Sequence, residues 1–140
     1  GIMRASIIHP DVQNLVIKTK NNEIVAKATL YVNREQGYGV VNTIEANVNL
    51  TEEEKHAVYK KIKLGVSTFA EKYNKEFPQK PLKIINVGIH LNRLDSEIKG
   101  KEEISPVILN SINYQEFGGR NNDYNGDSMY GQYTIWQDEK

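Results

Sequence analysis

Residues 24–77 read IVAKATLYVN-REQG-YGVVNTIEANVNL-TEEEKHAVYKKIKLGVSTFAEKYNKEF. Two periods meet in this stretch. The first segment sets Ile24, Ala26, Ala28, Leu30 and Val32 on one face and Lys27, Thr29 and Tyr31 on the other. The second sets Val40, Ile44, Ala46, Val48 and Leu50 against Thr43, Glu45, Asn47 and Asn49. An apolar residue at every second position marks a half-buried strand. The link Asn33-Arg34-Glu35-Gln36-Gly37 is polar and supplies the Gly a hairpin needs for positive φ. After Leu50 the period lengthens. Val58, Ile62, Val66, Phe69, Tyr73 and Phe77 follow at steps of three and four residues, one stripe of a helix. A hairpin running into an amphipathic helix predicts an α+β unit. The helix is expected over residues 55–74, with Val58, Ile62, Val66, Phe69 and Tyr73 buried.

The helix has clear punctuation. Thr51 with Glu54 three residues later is a capping box, and Glu52 and Glu53 suit the positive helix end. Pro78 and Pro81 stop the helix, and Gly65 sits inside it, where close packing on the sheet is expected. Upstream, residues 1–13 show no period. Residues 15–19 form a short strand, and Lys20-Asn21-Asn22-Glu23 turns into Ile24, so three strands form a meander. Downstream, residues 82–91 form a strand with Ile85, Val87, Ile89 and Leu91 on one side. The intervening helix permits a parallel crossover. Residues 93–99 predict one or two helical turns ended by Gly100. Ser105-Pro106 predicts a further short helix burying Val107, Leu109 and Ile112. Residues 117–127 are loop by composition, and residues 132–137 a last strand.

The chain has 140 residues, enough for a single domain over 1–140 with its own core. It starts at Gly1, with Met3 the first methionine, and the fold needs structure before residue 14; this favours a fragment of a larger protein. Basic and acidic residues balance at 18 each, which removes the electrostatic footprint of a nucleic-acid partner. Cysteine is absent, so neither disulfides nor thiolate chemistry are open to it. No apolar run approaches a membrane span, and a cytoplasmic location is expected.

The order strand, strand, strand, capped helix, strand, short helix, strand over residues 14–137 resembles the GNAT (GCN5-related N-acetyltransferase) core. The resemblance implies a mixed, mostly antiparallel sheet with one long amphipathic helix and short helices. It also implies acetyl-CoA in a gap between the strands at 40–50 and 82–91, with a pyrophosphate loop at 50–54. The family pattern there is Arg or Gln, two residues, Gly, one residue, then Gly or Ala. This chain has Leu50-Thr51-Glu52-Glu53-Glu54 instead. A helix N-terminus holds phosphate through bare amides and its dipole. Here Thr51 takes an amide and carboxylates crowd the end. Two unit charges ~5 Å apart repel by roughly 3 kcal/mol at an effective dielectric of about 20, and Lys55 offsets one carboxylate. The family's first two helices also have no room before residue 14.

The expectation is a GNAT-like domain that lacks standard acetyl-CoA binding, carries no cofactor, and binds a small ligand or another part of a larger protein. The alternative is an active N-acyltransferase using acetyl-CoA through an atypical loop, with Asn47, Asn49 and Thr51 at the cofactor. Under that alternative Glu45 is a general base on the strand that bears one in some family members, and Tyr124 or Tyr130 a late general acid, with Tyr124 preferred. Glu45 equally reads as an exposed strand residue opposite a lysine. The string from Tyr124 to Tyr133 carries turn chemistry and also polar groups for a ligand. Gly88, His90, Asp127 and Gln132 are the expected ligand residues, placed where this loop meets the ends of the two strands. His9, His56 and His90 are far apart in sequence with no close pair, so no metal site is expected.

Overall fold

β1 (Val12–Lys18), β2 (Ile24–Asn33) and β3 (Tyr38–Ala46) form an antiparallel meander. Its turns use residues that tolerate positive φ, Asn22 at 66° and Gly37 at 77°. The computed structural model describes residues 12–47, 49–90, 94–99, 102, 104–112, 115–116, 120–121 and 127–139. At 43, 89, 90, 95, 96, 104, 105, 107, 109–112, 115, 116, 120, 121 and 127–129 it describes the backbone alone. The expectations for His9, Val48, Leu91, Arg93, Gly100 and Tyr124 lie outside the described residues.

α1 (Glu52–Glu76) follows β3 and returns the chain to β4 (Ile84–His90), which lies parallel to β3. One side chain fastens the end of α1 to the segment entering β4, and another ties it to the β2–β3 turn. Asn74 pairs with the Leu82 backbone in both directions, donating to Leu82 O at 3.1 Å and accepting from Leu82 N at 2.7 Å. Arg34, from the β2–β3 turn, lies 3.8 Å from the Phe77 ring centroid and donates to the Tyr73 hydroxyl at 2.8 Å. The remaining elements are α2 (Asp95–Ile98), β5 (Ile104–Ile112), the two-residue pair β6 (Gln115–Glu116) and β7 (Arg120–Asn121), and β8 (Asp127–Gln137). The main sheet has the order β1-β2-β3-β4-β8-β5, antiparallel except between β3 and β4. The fold is α+β, a mixed and mostly antiparallel sheet with one long helix.

α1 covers one face of the sheet. Val58, Ile62, Val66, Ala70 and Tyr73 meet Ala26, Ala28, Leu30 and Val32 of β2 there. Leu82, Ile85, Val87, Leu94 and Ile98 extend this core across β4 to α2. The second face is buried as well. β8 bends at Gly131, where a Cβ would stand 2.8 Å from Asn86 Cβ and 2.9 Å from Val40 Cγ2. The Asn86 side chain holds the bend by donating to Gly131 O at 3.1 Å. β5 then lies against β2 and β3 although it shares no ladder with either. Gln36 Nε2 donates to Ile108 O at 2.9 Å to tie it there. The β5–β8 ribbon thus folds back, and Val12, Tyr31 and Val40 are buried on the face away from α1.

Six expectations are corrected. Residues 105–112 are strand, not helix. A short apolar run cannot separate the two by period, and the β-branched residues belong to an edge strand of β8. The ladder slips between Ile104 and Val107, so Pro106, which has no amide to give, sits in a bulge. The last strand begins at Asp127, not at residue 132, because its first half pairs with β5. Residues 117–127 are not loop throughout, since β7 lies among them. In β3, Ala28 faces Ile44 while Leu30 faces Val41, so one extra residue is accommodated. That bulge turns Val41 and Ile44 to the α1 side and Val40 away, against a simple alternation. Lastly, Ile24 is 52% exposed because the register slips at Ile17/Lys18, and Phe69 is half-buried because the sheet ends at β1 beneath it.

Candidate functional site

The end of α1 nearest β3 is closed by its own residues. Thr51 Oγ1 accepts from the Glu54 amide at 3.1 Å, and Glu54 Oε1 accepts from the Thr51 amide at 2.9 Å. Asn47 Oδ1 accepts from the Asn49 amide at 3.1 Å, and the Asn47 amide donates to Val25 O at 2.8 Å. Lys55 turns back to Glu52 at 3.1 Å. The side chains of Asn47 and Thr51 each accept from a nearby backbone amide, those of Asn49 and Glu54, as Asx and capping geometry dictates. Glu52, Glu53 and Glu54 form the first turn.

The β3–β4 ladder stops at Thr43 opposite His90, while β3 continues to Ala46. Glu45 lies on that extension, exposed, with Lys27 opposite it on β2. Gly88 sits where a Cβ would be 3.0 Å from Asn42 O and 3.3 Å from Tyr130 O, so a side chain there would crowd two backbone carbonyls. The topology therefore brings Gly88 and His90 beside β3 and β8. Half-buried Gln132 is on β8, and Asp127 begins that strand opposite Ile112. Asp127 and Gln132 are five residues apart along one strand, ~17 Å at strand rise.

A polar cluster escaped the sequence reading. His56 Nδ1 and Glu97 Oε1 are 2.9 Å apart, the imidazole 62% exposed and the carboxylate 8%. Lys63 binds Glu102 at 3.0 Å, and Tyr59 is buried between these two pairs on the same helix face. The spacing His56, Tyr59, Lys63 was visible in sequence, but its partners lie on α2 and beyond, some forty residues away. Glu97 holds the ring of His56 through Nδ1, with most of the side chain exposed. The Tyr59 hydroxyl is buried without a hydrogen-bond partner. Burial, followed by the nearby charges of Glu102 and Glu97, pushes its ionisation well above the usual tyrosine range. A raised acid favours folding below the unfolded pKa and loses that contribution as pH rises above it. Wild-type protein should therefore lose stability above pH ~10 faster than Tyr59→Phe, by about 1.4 kcal/mol per pH unit. Urea melts of both proteins between neutral and alkaline pH measure the difference.

Among the described residues no three His, Asp or Glu side chains are grouped to hold a metal. No described helix is long and apolar enough to cross a membrane. A groove of about 550 Å³ runs between β1 and α1, floored by Leu15, Ile17, Leu64 and Phe69.

No family model matches the chain, and no curated protein sequence matches it. Among solved structures it is similar to GCN5 from Tetrahymena, with 6% identity and a TM-score of 0.46. The match covers 97% of this chain and 77% of that one.

Proposed function

We propose that this chain is a GNAT-like domain that works as a binding module and does not take up acetyl-CoA in the manner of that family. The observation that carries the reading is the closed helix end. The capping box occupies the Glu54 and Thr51 amides, and three carboxylates surround the place a pyrophosphate would need. Phosphate binding at a helix N-terminus needs free amides and a positive field; here the capping box takes two of the amides and three carboxylates oppose the field. The alternative, an N-acyltransferase with Glu45 as base, has to work with an exposed carboxylate opposite Lys27.

Calorimetry with acetyl-CoA tests the reading. No heat of binding is expected at millimolar cofactor, and no rise in melting temperature. A true ligand at a hundred times its dissociation constant adds ~2.7 kcal/mol. Micromolar affinity would overturn the proposal and restore the enzyme reading. Changing Glu52 and Glu53 to Gln should convert absent binding to weak binding, strongest at low salt.

A further inference from the structure

β1 is an edge strand: it pairs with β2, and its outer backbone row has no ladder partner among the described residues. Natural edges are blunted by proline, bulges or central charge. The opposite edge, β5, has such protection in Pro106 and its bulge. β1 reads Val-Gln-Asn-Leu-Val-Ile-Lys, with its one charge at the end. The apolar groove lies alongside this open edge.

Two further observations turn the edge into a site. The first is Gly65, in the middle of α1 and on the groove wall. A Cβ there would meet Leu15 Cδ2 at 3.5 Å, ordinary contact, so packing does not require glycine. Glycine nonetheless weakens a helix interior against alanine. What it preserves is groove depth, next to a Leu64 that is 66% exposed. The second is charge. Lys18, Lys61 and Lys72 line the groove, and no carboxylate does. None of the three has an ion-pair partner among the described residues, whereas Lys55, Lys63 and Lys80 are each paired with a glutamate.

We infer that the groove binds an extended peptide segment of another protein that adds to β1 as a further strand, with groove-facing side chains apolar at the centre and acidic at the ends. Its backbone would complete the open ladder, its central groove-facing residues would lie beside Gly65, and its terminal carboxylates would meet Lys61 and Lys72 at the two ends of the groove. The seven residues of β1 fix the length of the segment it can pair. A second copy of this chain is disfavoured, because pairing β1 with β1 would set two groups of three lysines against each other. The inference deepens the binding-module reading and rests on it. The two fail separately: acetyl-CoA binding would overturn that reading, whereas loss of the groove would leave it standing.

The test uses the whole chain and a fluorescein-labelled peptide, Asp-Thr-Val-Ser-Leu-Thr-Glu, whose alternate positions set Asp, Val, Leu and Glu on one face, followed by anisotropy. Saturable binding is expected, weakened several-fold by added salt. Gly65→Leu fills the groove from a residue that favours helix, so it should keep or raise the melting temperature while lowering affinity about tenfold or more. Leu64→Ser, at an exposed position, and the pair K61E/K72E are surface changes expected to fold normally and to weaken binding likewise. Amide shifts should gather in β1 and along residues 61–72. The inference is overturned if the peptide fails to bind, or if a scrambled isomer or a lysine-for-acid version binds equally well. It is also overturned if Leu64→Ser and K61E/K72E bind as wild type does. Self-association through β1, or preference for anionic phospholipid vesicles over the peptide, would likewise replace it.

Discussion

Ile62→Ala lowers the unfolding free energy by about 3–5 kcal/mol. Ile62 lies mid-helix, 1% exposed within the core cluster that α1 shares with the sheet. Removing its branched side chain leaves a void that the sheet cannot close, since the ladders on both sides fix the strand spacing. In a domain of this size that loss should lower the melting temperature by roughly 10–15 °C. The control is on the same helix. Phe69 is larger but half-buried over the groove, so Phe69→Ala should cost clearly less than Ile62→Ala. Thermal and urea melts of the two variants rank them, and an equal or reversed ranking would contradict the packing described for α1.

Gly131→Val is the second large effect. Even a methyl at this position collides with Asn86 Cβ, which is fixed to the backbone, and with Val40, which is fully buried. The neighbours cannot yield without moving β4 or β3. Overpacking of this kind costs typically 1–3 kcal/mol, and here the expectation is at the upper end or above. The damage should also be local in a recognisable way. β8 can relieve the clash only by lifting its first half, which takes β5 with it and breaks the Gln36 to Ile108 bond. Hydrogen exchange should therefore quicken in β5 and the first half of β8 before it quickens in β1 and β2. Uniform loss of protection would show that the bend is not a separate unit.

What sequence reading recovered here was local. The meander, the positive-φ turns at Asn22 and Gly37, the capping box and the α1 stripe all depend on residues within a few positions of one another. The parallel β3–β4 pair was foreseen only because a helix stood between the strands. What escaped depends on distant partners. Residues 104–112 have no helical or strand signature of their own until β8 arrives. Val40 and Val41 look alike in sequence, and only the registers with β2 and β4 decide which faces α1. The site reading divides the same way. The closed helix end follows from Thr51 and Glu54, three residues apart. The His56–Glu97 pair and the lysine-lined groove join segments that nothing in the linear order connects.

The strand order has a consequence for biosynthesis. β8 follows every other strand in the chain, yet its place is between β4 and β5. As the chain leaves the ribosome, the meander and α1 can collapse on contacts already present. β4 and β5 then wait, each with an open side, until residues 127–137 emerge. Premature termination between residues 112 and 127 yields a product with two unsatisfied strands, a species for chaperones and proteases rather than a smaller working domain.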